Sequence, residues 1–296
     1  MKEAMLYERL DNKQVRCKLC AHNCRIKDGK RGVCLVRENH DGTLYTQAYG
    51  KSVSHAIDPV EKKPLFHFQP GSSTFSVATA GCNFHCRFCQ NWQISQVLRD
   101  GGSILGQALP PERIVALAQD SGCDSISYTY TEPTIFFEYA YDTARMAREV
   151  GLKNIFVTNG YMSAEALEAI QPYLDAANVD LKSFDDSFYK ELAGARLQPV
   201  LDTLKLMKKL GIWVEVTTLI IPTWNDSEDG LRHIAAFIVQ ELGVTTPWHI
   251  SRFHPTYGLS NLPSTPVEAL HEAHGIGLAA GLLYVYEGNV PGSEGE

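Results

Sequence analysis

Gly81-Cys82-Asn83-Phe84-His85-Cys86-Arg87-Phe88-Cys89 follows directly on an apolar run, residues 75–80, that reads as a β-strand. Its three thiols, spaced C-x3-C-x2-C, sit on a loop leaving the end of that strand. Four cysteines close the coordination of a zinc ion or an iron–sulfur cluster; three leave one metal position open. An open position is what a bound reactant needs. Packed unpaired cysteines and a three-cysteine zinc site are the plainer readings of the same stretch.

Outward from this loop, strand-like and helical stretches alternate. Strands are expected at 75–80, 125–130, 153–158, 176–181, 212–219 and 248–253, with a weaker one at 283–286. Helices are expected at 111–119, 135–150, 163–171, 186–192, 199–210, 227–241 and 266–280. Such alternation builds a parallel sheet with crossover helices, hence an α/β fold, here a partial (β/α)6-type barrel over 74–290. Chemistry in such barrels sits at the C-terminal strand ends, where the cysteine loop falls. A small Cys-rich module with a hairpin is expected over 1–73 and a frayed tail over 291–296. Pro70-Gly71-Ser72-Ser73 reads as the boundary. Residues 1–10 read as a short amphipathic helix, and 43–57 as a hairpin about Tyr49-Gly50-Lys51.

The other strand ends carry further polar groups. Thr131-Glu132-Pro133 follows the second strand and would equally suit a helix N-terminus. Thr158-Asn159-Gly160 follows the third, and Asp180-Leu181-Lys182 the fourth. Period-two alternation puts Asp180 and Lys182 on one inward face, where an unpaired charge is rarely tolerated, so an ion pair is the plain reading. Glu215 and Thr217 share a face of the fifth strand, and the sixth ends at Arg252-Phe253-His254; these could form a satisfied polar core. Cys123 reads as packing.

Cys17-x2-Cys20-x3-Cys24-x9-Cys34 places four soft ligands on a turn-rich segment of low apolar content. Burial would not offset its ordering entropy, so a metal is expected to supply the difference, either zinc or a closed [4Fe–4S] cluster. His22 stands among these ligands as a neighbour rather than a fifth one.

With 44% hydrophobic and 21% charged residues, the 296-residue chain is not of disordered type. No apolar run is long enough to span a membrane, and the first residues lack a secretory h-region. Eight cysteines, mostly clustered, read as metal ligands of a reducing compartment, so a cytoplasmic location is expected. Residues 1–40 hold ten Lys and Arg against five acids in a chain of net charge −7. That asymmetry reads either as a solvated module balancing bound thiolates or as a docking face for RNA or an acidic protein.

The cysteine loop, with Phe88 before its last cysteine, resembles the radical S-adenosylmethionine (SAM) superfamily. Thr158-Asn159-Gly160 with Asp180-Leu181-Lys182 resembles the activating enzymes of glycyl-radical enzymes, although Val157 stands where those carry an acid. The stretches CKLCAHNCRI, DPVEKKPLFHFQPGS, GCNFHCRFCQNW, YTEPTIFFEYAYDTAR, VTNGY, ANVDLKSF, GIWVEVTTLIIP and SRFHP together resemble the radical SAM enzyme of the AmmeMemoRadiSam system. Members of that family commonly continue into a further cysteine pair.

The resemblance implies a [4Fe–4S] cluster on Cys82, Cys86 and Cys89 that binds the amino and carboxylate groups of SAM. It implies one-electron reduction, by a protein such as flavodoxin or ferredoxin, to a 5′-deoxyadenosyl radical that abstracts hydrogen. Phe88 would seat the adenine, Thr131 and Glu132 the amino group, and His254 the ribose. Lys182 would hold the carboxylate, with Thr158, Asn159 and Asp180 beside it. The expected substrate is macromolecular, a protein residue or structured RNA, with partner proteins of the AmmeMemoRadiSam system. A glycyl-radical activase is the near alternative; a zinc-stabilised scaffold without chemistry is the alternative of another class.

Overall fold

A computed structural model describes residues 1–290; the expected frayed tail, 291–296, lies outside the described residues. The core of the fold is an eight-stranded sheet, whose strands we label β1 (Ser54–Pro59), β2 (Ser73–Ala78), β3 (Ser125–Tyr128), β4 (Lys153–Thr158), β5 (Ala176–Asp180), β6 (Trp213–Ile220), β7 (Trp248–Arg252) and β8 (Val285–Gly288). Spatial order follows chain order from β8 back to β1, with β1 alone antiparallel and both ends of the sheet open. Each parallel step carries a helix: α1 (Pro111–Asp120), α2 (Phe137–Glu149), α3 (Ala164–Ile170), α4 (Leu197–Lys209), α5 (Glu228–Phe237) and α6 (Val267–Ala279). The strands and helices thus form within a few residues of where the sequence places them, and the weak stretch at 283–286 becomes β8.

The reasons are local. All four residues of β3 are buried, as both faces of a parallel sheet are covered. Ser163 caps α3 by accepting from the Ala166 amide at 3.1 Å, and Ser227 caps α5 from Gly230. Pro199 stands in the first turn of α4, where a missing N–H leaves no bond unmade.

Three N-terminal expectations are corrected. Residues 1–10 form strands, not a helix: Lys2–Glu3 pairs with Thr43–Thr46, and Tyr7–Arg9 pairs with Val15–Cys17. The Ala4 amide donates to the Leu44 carbonyl at 2.8 Å, so partners distant in sequence override local helix propensity. The hairpin lies at 37–46 rather than 43–57. Arg37–His40 and Thr43–Thr46 turn at Asp41-Gly42, both at positive φ, which is the Asp-Gly hairpin turn. Ser54–Pro59 instead pairs with β2, so the sheet begins ahead of the boundary expected at Pro70–Ser73.

Residues 60–71 plug the barrel. The inward faces of the parallel strands divide into two levels. At the lower level, Ile155 and Ala176 pack on Val60, Leu65 and Phe68 of the plug. Glu215, fully buried on β6, accepts from the Phe66 and His67 amides at 3.0 and 2.9 Å, from Trp213 Nε1 at 3.1 Å and from His249 Nε2 at 2.7 Å. Asn178 Nδ2 donates to the Pro64 carbonyl at 2.8 Å. Glu215 is thereby a structural clamp.

The plug also presents Lys63, whose buried ammonium sits 2.7 Å from Asp58 Oδ2. Asp58 further accepts from Lys62, Ser76 and Tyr130. Burial alone would raise the Asp58 carboxyl; these donors outweigh it and hold the group well below the usual range. Burial would likewise raise Glu215, but the His249, His67 and Trp213 donors outweigh it, and the carboxyl ends below the usual glutamate range. A lowered folded-state pKa adds stability above the unfolded-state value and loses it as pH falls through the folded one. The stability gap between the native chain and Glu215→Gln, read from urea melts, should therefore narrow as pH falls below the ordinary glutamate range and through the lower folded-state value. A gap independent of pH would mean that Glu215 is not ionised in the fold.

Candidate active site

The upper level of the same inward faces, with Lys62, Lys63 and Pro64 of the plug beneath it, lines a cavity of about 480 Å³ at the C-terminal strand ends. That size is typical of small-molecule and cofactor sites. Cys82, Cys86 and Cys89 reach it from the loop after β2. The loop is anchored across the barrel mouth, with the His85 and Arg87 amides donating to the Ala193 and Leu192 carbonyls.

The sulfurs already hold the polar neighbours a metal-bound thiolate uses. Cys82 Sγ accepts from the Phe84 amide at 3.3 Å and faces Asn159 Nδ2 at 3.8 Å, and Cys89 Sγ lies 3.0 Å from Ser95 Oγ. Burial pushes the Cys86 thiol up to about 12 and raises Cys82 and Cys89. Buried thiols of this kind ionise when a metal takes the proton's place. Three converging thiols with one open wall of cavity thus fit a [4Fe–4S] cluster carrying a vacant iron position.

β3, β4 and β5 supply the neighbouring groups. Glu132 is buried, its Oε1 accepting from the Thr134 amide, Thr134 Oγ1 and Thr158 Oγ1, its Oε2 from the Asn159 amide at 2.8 Å. A carboxylate offers about four acceptor sites, two on each oxygen, so Oε2 keeps one direction open to a ligand donor. Burial raises the Glu132 carboxyl, and the Asn159, Thr134 and Thr158 donors oppose that rise. Asn159 Nδ2 also donates to Asn83 Oδ1 at 2.8 Å, tying the β4 end to the cysteine loop. The turn depends on Gly160, at φ +70°, where a Cβ would stand 2.9 Å from Val179 Cγ1.

Lys182 Nζ is 2.8 Å from Asp180 Oδ2 and 5.5 Å from the Phe88 ring centroid. Burial alone would lower the Lys182 ammonium; Asp180 outweighs it, so the lysine stays charged within the cavity wall. The expected ion pair is therefore present, and it faces the cavity. Phe88 is buried against Phe188, 5.7 Å between centroids.

These features agree with a family match. Residues 76–234 match the model described as the radical SAM superfamily. The chain belongs to the radical SAM superfamily. Over all 296 residues this radical SAM enzyme is 53% identical to an uncharacterized protein of Methanocaldococcus jannaschii, spanning 87% of that protein. It is 26% identical over 174 residues to the pyruvate formate-lyase-activating enzyme of Clostridium pasteurianum, covering 57% of this chain and 70% of that one. A radical SAM methyltransferase from Sphaerobacter thermophilus superposes with a TM-score of 0.58 at 18% identity, over 74% of this chain and 67% of that one. Streptococcus suis SuiB bound to S-adenosylmethionine gives 0.56 at 17%, over 71% and 48%. At such identities the two structures speak for the fold. Among the described residues no helix is long and apolar enough to cross a membrane.

Of the residues singled out from sequence, the radical SAM cavity gathers Cys82, Cys86, Cys89, Phe88, Thr131, Glu132, Thr158, Asn159, Asp180 and Lys182. His254 is not among the lining residues; it is exposed at the β7 end, with Nδ1 3.2 Å from Ser264 Oγ. Arg252 is spent on the Thr265 carbonyl at 2.7 Å. Sequence reasoning missed Asn178, Ser251, Lys62 and Lys63 in the lining. The alternation that turns Asp180 inward also turns Asn178 inward, so that one was legible; the lysines arrive with the plug.

The four N-terminal cysteines also come together. Cys17, Cys20, Cys24 and Cys34 line one small cavity with Leu19, Ile26 and Arg37. Its walls belong to the main core, with Val15, Leu19, Ile26 and Val36 all buried, so the segment has more apolar burial than its composition suggested.

Proposed function

We propose that this radical SAM enzyme holds a [4Fe–4S] cluster on Cys82, Cys86 and Cys89 and cleaves SAM reductively. The observation that carries this reading is that the three thiols, the Lys182–Asp180 pair and the Glu132–Thr158–Asn159 network line a single cavity. When bound, cluster and SAM together supply a 5′-deoxyadenosyl radical that takes hydrogen from a substrate; the protein binds, orients and shields. Lys182 pairs with the SAM carboxylate, the open lone pair of Glu132 Oε2 receives its amino group, and the Phe88 stretch seats the adenine. The plug closes the floor with Lys63, keeping water from the lower barrel.

A ligand of SAM size occupies most of the cavity, so the substrate presents its reacting group at the mouth. This favours a macromolecule, and the activating-enzyme relatives favour a protein residue over structured RNA. The reductant is a flavodoxin- or ferredoxin-like protein, and the N-terminal cysteines bind a second metal, as zinc or iron–sulfur. A reducing, cytoplasmic setting suits both sites.

The test is anaerobic. After reconstitution with iron and sulfide, the native chain with reductant and SAM should release 5′-deoxyadenosine. The Cys82→Ala/Cys86→Ala/Cys89→Ala variant should release none and lose about four irons. A native chain without a cluster at this loop would refute the reading and leave a metal-stabilised scaffold.

A further inference from the structure

The four N-terminal thiols stand directly behind the catalytic loop. His22, two residues from both Cys20 and Cys24, donates from Nε2 to the Asn83 carbonyl at 2.8 Å, and Asn83 adjoins Cys82. Arg99 Nη2 donates to the Val33 carbonyl at 2.6 Å and to the Cys82 carbonyl at 3.5 Å, bridging the neighbour of Cys34 to a catalytic cysteine. A Cβ on Gly81 would lie 3.3 Å from the Cys34 carbonyl oxygen, so the two backbones touch. Summing one such contact with one residue step on either side puts the nearest ligands on the order of 10 Å apart. Single electrons tunnel efficiently across packed protein at that range.

The four thiols line one cavity, and Arg37, 1% exposed on the same wall, has an Nε without a partner. Its Nη1 faces Cys17 Sγ at 3.9 Å, while Nη2 is paired with Glu138. A buried N–H left open beside four thiols suits the sulfur of a cluster.

The outer side of this site is basic. Cys20 opens to a surface cavity lined by Arg16, Lys18 and Glu165, and the two cations share Glu8. Arg25, Lys27 and Lys30 are exposed with no acid at ion-pair distance among the described residues. Most other basic residues of the segment are paired internally, Lys2 with Asp142, Lys13 with Asp41, Arg31 with Glu38 and Arg37 with Glu138. The unspent positive charge therefore collects around the four-cysteine site.

Resting on the function proposed above, we propose that Cys17, Cys20, Cys24 and Cys34 hold a second iron–sulfur cluster that relays single electrons from an acidic carrier protein to the cluster at Cys82, Cys86 and Cys89. In the first step the carrier loses one electron and the outer cluster gains it; in the second the outer cluster is reoxidised as the inner one is reduced. No bond is made or broken and no proton moves in either step.

The experiment uses the full chain, reconstituted anaerobically, with metal counts, electron paramagnetic resonance and 5′-deoxyadenosine release driven either by dithionite or by reduced flavodoxin. The native chain should hold about eight irons and show two interacting paramagnetic centres when reduced. Cys20→Ser/Cys24→Ser should keep about four irons, and its flavodoxin-driven rate should fall at least about tenfold further than its dithionite-driven rate. Lys27→Glu/Lys30→Glu should raise the flavodoxin concentration needed and weaken its salt dependence. One zinc per native chain at the four cysteines, or equal losses with both reductants, overturns the relay. Should the double-cysteine variant fail to fold, the native spectrum decides: a single isolated centre under flavodoxin overturns it. Failure of dithionite to drive any cleavage in the native chain strikes the proposed function instead, and the metal count at the four cysteines is read independently of it.

Discussion

Glu215→Ala is expected to destabilise the protein by about 3–5 kcal/mol, the range for removing one partner from a buried charged network. Its carboxylate receives four donors, two of them backbone amides of the plug and one the His249 ring. Alanine leaves all four without an acceptor in a water-poor barrel, and each orphaned group costs about 1–3 kcal/mol less whatever water can reach it. Phe66 and His67 are only partly buried, so solvent recovers part of that sum. Glu215→Gln keeps the shape but turns an NH2 toward donors, and roughly half the loss should follow. Urea melts with an unchanged slope read the effect. A loss below about 1 kcal/mol would show that the plug is held by its apolar contacts with Ile155 and Ala176 alone.

Lys182→Ala is expected to weaken SAM binding by roughly 10- to 150-fold, the equivalent of one charge-assisted hydrogen bond of about 1.5–3 kcal/mol. The ammonium is held by Asp180 and by the Phe88 ring, which leaves its remaining donors for a ligand carboxylate in the cavity. Removing it also leaves Asp180, about one-third exposed, without its cation beside an incoming carboxylate. Two like charges there repel, so the loss exceeds that of one hydrogen bond when ionic strength is low. Titration of SAM into the reconstituted protein, with iron content measured alongside, reads the change. Unchanged affinity at unchanged iron content would make the Lys182–Asp180 pair purely structural.

What was legible early has a common cause. The alternation of strand and helix survives because hydrophobic periodicity is a local property, and the parallel sheet follows from it. The cysteine loop, Thr158-Asn159, Asp180 and Lys182 were legible because strand ends in a parallel barrel face one mouth, whatever lies elsewhere. His254 shows the limit of this rule: it stands at a strand end too, but the chain there leaves the cavity and its ring meets Ser264. The first ten residues show another limit, since Lys2–Glu3 is a strand only through pairing with a segment some forty residues on, and Tyr7–Arg9 only through pairing with Val15–Cys17.

By itself, then, the sequence determined the α/β architecture, the three-cysteine loop and most of the polar groups around it, because each is written in short-range spacing. Tertiary structure alone decided that residues 60–71 enter the barrel, that Glu215 clamps a segment 149 positions away, and that the two cysteine sets abut. Those outcomes hang on buried hydrogen bonds between distant residues. A carboxylate in a strand reads the same in sequence whether its four donors are waters or backbone amides brought from the other end of the domain.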